Sequence, residues 1–383
     1  MPTTDWLRPS APTRLHHVFE RIAGRNEVHV LRFSLGRGRE TATRLVLHEA
    51  RGCIRAGRWP PAYYLANSIA HRESLRTILR GQGFDVMVLS NLLPAYAAAR
   101  LRAAELCLFD LSDHFPLSGV EYLPGSSSLR FFGRLLLEML LRRTLSRADL
   151  CVTSSTTLAE YATRLGAKVR LITNGVDDSF LSQASGRDEI RERYGLTESF
   201  VVGFVGAVRD YHNFEPLLGA MKRMTKKADV RLLLVGPNST ALGAKLRKWM
   251  RDLRLGKRLV QVTDLPAAEV PGHIDAMDVC TIPLDPSKAI THFLYPNKLW
   301  EYLARGRPVA ATPLGEIIRE ASSFIRPAQT EEEYLQVFDD CVKNPDAFEA
   351  AGRLARAHAR EHTWSNIASK YEATLSRLVA ERT

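Results

Sequence analysis

The chain has no pattern that would pair its cysteines or build a metal cluster. Its five cysteines, Cys53, Cys107, Cys151, Cys280 and Cys341, are odd in number and contain no CxxC. Cys107, Cys151 and Cys280 lie inside apolar strand-like runs, which reads as buried, reduced thiols in a cytoplasmic protein. There is no HExxH, GxSxG, GxxxxGKS/T or GxGxxG anywhere. Those absences remove the zinc-protease, serine-hydrolase, P-loop and dinucleotide-fingerprint readings. A DxD triplet, which would hold a metal at a strand end, is also missing. No apolar run is long enough to span a bilayer. The opening stretch MPTTDWLRPSAP lacks the apolar core of a signal peptide, so the chain is expected in the cytoplasm.

What is present describes a globular protein of two domains. Of 383 residues, 45% are hydrophobic and 25% charged, and the length exceeds what one core usually holds. The net charge is +11 and unevenly placed. Residues 1–180 hold 24 Lys and Arg against 16 Asp and Glu, while residues 181–383 hold 29 against 26. A basic first half suits an anionic partner: a phosphate-bearing substrate, a membrane surface or a nucleic acid. No basic motif interleaved with aromatics supports the last, and no nucleic acid is expected.

Short apolar runs alternate with amphipathic stretches from end to end, the pattern of βα units on parallel sheets. In the first half the strand candidates are 28–33, 43–48, 84–91, 106–113, 149–155 and 169–175, with a helix over 62–82. No strand candidate precedes the first helix. The polar stretch 174–189, NGVDDSFLSQASGRDE, reads as a loop and inter-domain hinge. The pattern restarts with strands at 200–208, 230–236, 259–266, 278–284 and 308–312, and after 329 the chain reads as helices. The lipophilic helix 128–145 is interrupted by Arg134, Glu138, Arg142 and Arg143, so it does not span a membrane. Packing inside a domain is the favoured reading, and an interfacial helix is the other.

One stretch, LYPNKLWEYLARGRPVAAT (294–312), concentrates chemistry. Pro296 suits a first helical turn, and Gly306 followed by Pro308 stops the helix. Leu299, Trp300, Leu303 and Ala304 form one apolar face, leaving Asn297, Lys298 and Glu301 together on the other. A cation and a carboxylate one turn apart beside a helix N-terminus suit a bound anion. An ordinary surface ion pair on an amphipathic helix would look the same.

Read in order, GFVGAV (203–208), LLLVGP (232–237), LPAAEVPGHIDAMDVCTIPL (265–284) and YPNKLWEYLARGRPVAATPLGEI (295–317) form a connected series. This series resembles the donor-binding domain of GT-B fold glycosyltransferases, especially the family-4-like group, over roughly residues 148–380. REHTWSNIASKYEATL (360–375) is similar to that group's closing helix. The resemblance implies an α/β protein of two facing Rossmann-like doubly wound domains. It places an acceptor domain over 1–176, a donor domain over 177–363 and a last helix, 364–383, crossing back to the first. It further implies that Glu301 holds the ribose hydroxyls of a nucleotide sugar, while Lys298, Arg209, Gly206 and the Asn297 helix terminus face its diphosphate.

Cations and N–H groups there would neutralise the leaving diphosphate in place of a divalent metal. No cofactor beyond the nucleoside diphosphate sugar is then expected, and no metal site. Phe293 stands where family-4 enzymes often carry a second Glu, and Gly206-Ala207 where many have Gly-Arg followed by a Lys. On the acceptor side, Asp110, Asp113 and His114 end a buried-looking strand and are candidates for handling the acceptor hydroxyl. A capping role is the structural alternative for Asp113 or His114. His16 and His17 lie on the first helix, where contact with the acceptor is one reading and a helix-surface role the favoured one. The function expected is transfer of a sugar to a lipid-linked or polysaccharide-precursor acceptor, metal-independent and retaining. The expected site of action is the cytoplasm, with the inner face of the cell membrane and peripheral contact to anionic lipid as the more specific expectation. The alternative is a non-catalytic GT-B-like subunit that binds nucleotide sugar.

Overall fold

The structure is a computed structural model, and it describes residues 6, 13–32, 42–50, 53, 66–101, 106–121, 126–182, 186–236, 240–263 and 265–382. The chain forms two compact units, residues 1–174 with 364–383, and residues 175–363. The segment before the first helix lies almost wholly outside the described residues.

The first unit contains α1 (Arg14–Ile22), β1 (His29–Arg32), β2 (Val46–Glu49), α2 (Ser68–Gly81), β3 (Val86–Ser90) and α3 (Leu92–Ala98). It continues with β4 (Leu106–Leu111), α4 (Phe115–Glu121), α5 (Ser127–Leu145), β5 (Leu150–Thr153), α6 (Thr156–Arg164) and β6 (Val169–Leu171). The second unit holds a short 3-10 helix (Asp178–Leu181), α7 (Arg187–Arg193), β7 (Phe200–Val205), α8 (Glu215–Met224), β8 (Val230–Val235), α9 (Thr240–Asp252), β9 (Leu259–Val262) and α10 (Val270–Asp275). After these come β10 (Val279–Ile282), α11 (Asn297–Ala304), β11 (Val309–Ala311), α12 (Gly315–Ala321), β12 (Ile325–Pro327), α13 (Glu331–Lys343) and α14 (Pro345–Arg360). The final helix, α15 (Trp364–Ala380), belongs to the first unit.

In the second unit six parallel strands run in the order β12-β11-β10-β7-β8-β9. Alternate residues of β7 and β8 enter different cores. Val202, Phe204, Leu232 and Leu234 face one side, and Val201, Val205, Leu233 and Val235 the other. Both faces are covered, which is why these strands read as continuous apolar runs rather than as alternating ones. Each such side chain contributes roughly 1.5–3 kcal/mol on full burial, so the sheet is the rigid part of the unit. β12 was not visible as a strand in the sequence: it has three residues, ends on Pro327, and sits at the sheet edge, where a missing N–H is tolerated. The described parts of 174–189 are more ordered than a loop. Asp177 accepts a hydrogen bond from Ser179 N–H (3.1 Å) to start the 3-10 helix, and α7 opens at Arg187.

The first unit departs from a single doubly wound sheet. Among the described residues its strands form two parallel sheets, β1-β2 and β3-β4-β5-β6. A cavity of about 630 Å³ is lined by β1 and β3 and by α1, α2 and α15. The core joins Val18, Phe19, Leu108 and Val152 to Ile367 and Tyr371 of α15. His17 stacks on Trp364 at 4.6 Å, and Arg25 pairs with Glu372 at 2.5 Å. Cys107, Cys151 and Cys280 lie in β4, β5 and β10, and all five cysteines are free thiols.

Helix α5 corrects the favoured reading of 128–145. Leu137, Leu141 and Leu145 turn inward, Leu137 against Gly119 of α4. The other apolar side chains, from Leu129 to Met139, are exposed. The run is lipophilic all round, so its composition could not show that only one face is covered.

Candidate functional site

In the second unit the strand order reverses at β7, which has β8 on one side and β10 on the other. The carboxyl end of such a strand is where open α/β sheets bind ligands. β7 runs into Gly206, held at φ +105°, a conformation that L side chains rarely adopt. A Cβ there would lie 3.4 Å from Lys298 Nζ, so the absent side chain keeps the lysine's amine against the strand end.

The lysine is aimed by its helix. Pro296 is the N-cap of α11, with extended backbone, and Asn297 is the first helical residue, one position later than the sequence suggested. Asn297 and Lys298 therefore occupy the first turn, with Glu301 a turn beyond. The inner face of α11 is anchored at several points. Val205 N–H donates to Tyr302 Oη (2.8 Å), tying the helix to β7. Trp300 Nε1 donates to Tyr295 Oη (2.8 Å), and the indole stacks on His362 at 3.9 Å. Arg305, just past the helix, grips both oxygens of Asp275 at 2.8 and 2.5 Å in a fully buried pair. Gly306 stops the helix at φ +64°, as its position in the sequence indicated.

Electrostatics single out the outer face. Lys298 Nζ sits 3.6 Å from the centroid of the Phe204 ring, a cation–π contact on an otherwise apolar strand. Burial lowers the Lys298 ammonium to about 7, opposed by the nearby Glu301, and burial raises the Glu301 carboxyl to about 7, opposed by Lys298. Solvent still reaches part of each residue. A cation and a carboxylate kept so far from their ordinary values are more than a surface ion pair, because an exposed pair would move toward full ionisation. His212 is buried too. Its Nδ1 accepts from Arg209 N–H (2.8 Å), and burial, with Lys298 and Arg209 nearby, holds it down to about 2. Arg209 and Asn297 are exposed at the rim.

The structure thus brings Gly206, Lys298 and Glu301 together, with Arg209 beside His212. Sequence reasoning missed Phe204, His212 and Tyr302. An aromatic in an apolar strand or helix looks like core, and only the fold shows that Phe204 bears a cation and Tyr302 caps a strand N–H. Among the described residues no group of three His, Cys, Asp or Glu is arranged to hold a metal ion.

The first unit separates its three candidates. Asp110 is buried, and its Oδ2 accepts from Arg14 Nε (3.2 Å) and Tyr371 Oη (3.1 Å). Arg14 also donates to the carbonyls of Ile172 and Thr173 and to Asn174. This network ties α1, β4, α15 and the end of β6 together, so Asp110 points into the core rather than to an open strand end. Asp113 lies past β4, accepts from His114 N–H (2.7 Å), and has its carboxyl raised by burial, with Ser118 and the His114 backbone opposing. His114 is buried, stacks on Tyr161 at 4.4 Å, and accepts from Leu117 N–H (3.2 Å) as a cap on α4. Burial pushes it down to about 4, so it is neutral at pH 7. His16 is likewise structural: it is buried, stacks on Trp6 and closes the capping box of α1 with Thr13, rather than lying on the helix surface.

Family models match both units. One described as glycosyl transferases group 1 covers residues 199–344, and one described as Glycosyltransferase Family 4 covers residues 11–180. The chain belongs to the family-4-like group of GT-B glycosyltransferases. It is 26% identical over 269 residues to TuaH of Bacillus subtilis strain 168, whose name assigns it to teichuronic acid biosynthesis as a glycosyltransferase. That match takes in 67% of this chain, and the chain spans 64% of the relative's length. The chain's fold matches sucrose-phosphate synthase from Thermosynechococcus elongatus with a TM-score of 0.79 at 17% identity, over 99% of this chain and 98% of that one. HepE of Anabaena, solved with UDP-glucose, matches with a TM-score of 0.71 at 16% identity, over 97% and 98%.

Proposed function

We propose that this glycosyltransferase moves a sugar from a nucleoside diphosphate sugar to a hydroxyl of a lipid-linked or polysaccharide-precursor acceptor, without a divalent metal and with retention at the anomeric carbon. One observation carries the reading: the desolvated Lys298 amine at the carboxyl end of β7, with Glu301 one helical turn away. An incoming diphosphate supplies the negative charge that this amine lacks, and proton uptake strengthens the contact. Arg209 and the first-turn N–H groups at Asn297 add to it, and Glu301 accepts from two ribose hydroxyls. HepE's complex with UDP-glucose supports the donor class, and TuaH's naming for teichuronic acid biosynthesis supports the acceptor class.

In the transfer the bond from the anomeric carbon to the diphosphate breaks and one to the acceptor oxygen forms. The acceptor's proton passes to the departing phosphate oxygen, and the charge left there is met by Lys298 and Arg209. Asp113 orients the acceptor hydroxyl, with His114 setting the loop that carries it. Asp110 positions the unit without touching substrate. The work is placed at the cytoplasmic face of an anionic membrane, where a lipid-linked acceptor is available.

A thermal-shift panel of nucleoside diphosphates and their sugars tests the donor. One base should raise the midpoint in the presence of EDTA as well as magnesium. If no nucleotide does so, the donor reading is wrong. The anomeric configuration of the product, read by NMR, decides retention.

A further inference from the structure

Helix α5 presents a surface that neither the donor site nor the core of its unit uses. Leu129, Phe131, Phe132, Leu135, Leu136 and Met139 are each 39–66% exposed, and they account for half of the large hydrophobic side chains so exposed among the described residues. They are not scattered. At 100° per residue Leu129, Phe132, Leu136 and Met139 fall on one stripe with spacings of three and four, and Phe131 and Leu135 flank it. The opposite side of the helix carries the inward-facing Leu137, Leu141 and Leu145, which pack against the unit. A contiguous apolar face of this kind marks a surface that is covered in use.

Charge identifies what covers it. Within and just after the helix stand Arg130, Arg134, Arg142, Arg143 and Arg147, all exposed, against the single Glu138, which leans on Arg142 at 3.8 Å. The wider field has the same sign. The first unit holds 27 Lys and Arg against 16 Asp and Glu, while residues 175–363 hold 26 of each, so the chain's entire +11 belongs to the unit that bears α5. A second copy laid on this face would set one +11 unit against another. A nucleic acid would meet the arginines but gain nothing from two phenylalanines, three leucines and a methionine. A bilayer with anionic headgroups satisfies both: apolar side chains enter the acyl boundary while arginines remain among the phosphates.

We propose that α5 is the membrane-docking element of this glycosyltransferase, lying in the plane of an anionic leaflet with Phe131, Phe132, Leu135, Leu136 and Met139 inserted and Arg130, Arg134 and Arg143 at headgroup level. No helix of the described residues is long and apolar enough to cross the membrane, which fits a helix that lies on it. The inference deepens the membrane-face part of the reading above, but it rests on residues that the donor site does not use.

The test is flotation of the full chain with unilamellar vesicles of phosphatidylcholine, with and without phosphatidylglycerol, at low and high salt. Binding should require the anionic lipid and fall as salt screens it. Phe131→Ser with Phe132→Ser should weaken partition roughly tenfold or more, and Arg130→Gln with Arg143→Gln should do so by a similar factor. Both double variants should keep the wild-type midpoint and the nucleotide-induced shift, since every altered residue is exposed. The proposal is overturned if wild type ignores anionic vesicles, or if the serine variant floats as well as wild type. It is equally overturned if the serine variant changes only the chain's sedimentation without vesicles, which would make the face a self-association surface. Loss of the nucleotide response in wild type, with vesicle binding intact, would sink the donor reading and leave this one standing.

Discussion

Replacing Lys298 by Met should make the protein more stable and unable to bind its donor. Met keeps the stem length and removes the amine. In the folded chain that amine titrates near 7, against 10.5 when unperturbed. Between those values the unfolded chain holds a proton that the folded one gives up, so the unfolded state binds more protons and stability rises with pH across that window. The full displacement is worth about 5 kcal/mol at about 1.4 kcal/mol per pH unit. Solvent reaches part of Lys298 and the Phe204 face returns some of the charge energy, so the gain expected from Met at pH 7 is about 1–3 kcal/mol. For a unit of this size that is about 2–10 °C in midpoint. Differential scanning calorimetry of wild type and variant from pH 7 to 10 measures it. The gap should be widest at pH 7 and close toward pH 10, because only the wild type gains with pH while its unfolded lysine still holds the proton that the folded one has released. The nucleoside diphosphate response should vanish, since a unit charge 4 Å away is worth about 4 kcal/mol in a partly wet site. A destabilised variant, or a gap that ignores pH, would show that the amine is not desolvated where the structure puts it. A retained nucleotide shift would show that it does not face the diphosphate.

Glu301→Gln should hold or raise the melting midpoint at neutral pH, since burial already disfavours the carboxylate, while weakening a ribonucleoside diphosphate more than its 2′-deoxy counterpart, as read by calorimetric titration. Equal losses for both would remove the ribose role. Tyr302→Phe leaves the Val205 N–H unpaired in the core and should cost about 1–3 kcal/mol in urea unfolding; a neutral result would mean that another group satisfies it. Asp110→Asn breaks a buried ion pair and should destabilise the first unit by about 3–5 kcal/mol. Asp113→Asn should not. Its carboxyl titrates above the ordinary value in the folded state, so ionisation at neutral pH works against folding, and the amide should hold or slightly raise stability while lowering transfer. If Asp113→Asn turns over donor and acceptor like wild type, the acceptor is oriented by another group.

Most of the second unit could be read in the sequence because its strands are covered on both faces. Runs such as VVGFV and VRLLLV have no polar alternation to blur them, and Gly306 with Pro308 marks a helix end by backbone chemistry alone. The spacing of Lys298 and Glu301 likewise followed from helix geometry. What spacing could not decide was whether they form a surface ion pair or a site. Desolvation decides that, and it depends on Phe204 and Gly206, which stand more than 90 residues earlier and meet Lys298 only because β7 is central in the sheet. The same limit applies in the first unit. Asp110 and Asp113 are three positions apart and looked alike at a strand end, yet Arg14 and Tyr371 come from the two ends of the chain to bond Asp110 and not Asp113. For α5, composition established a lipophilic helix rich in arginine. Only its packing, which covers the Leu137 and Leu141 side and leaves Phe131 and Phe132 in the open, distinguishes a core helix from a docking face, because burial is a property of what surrounds a residue and not of the residue itself.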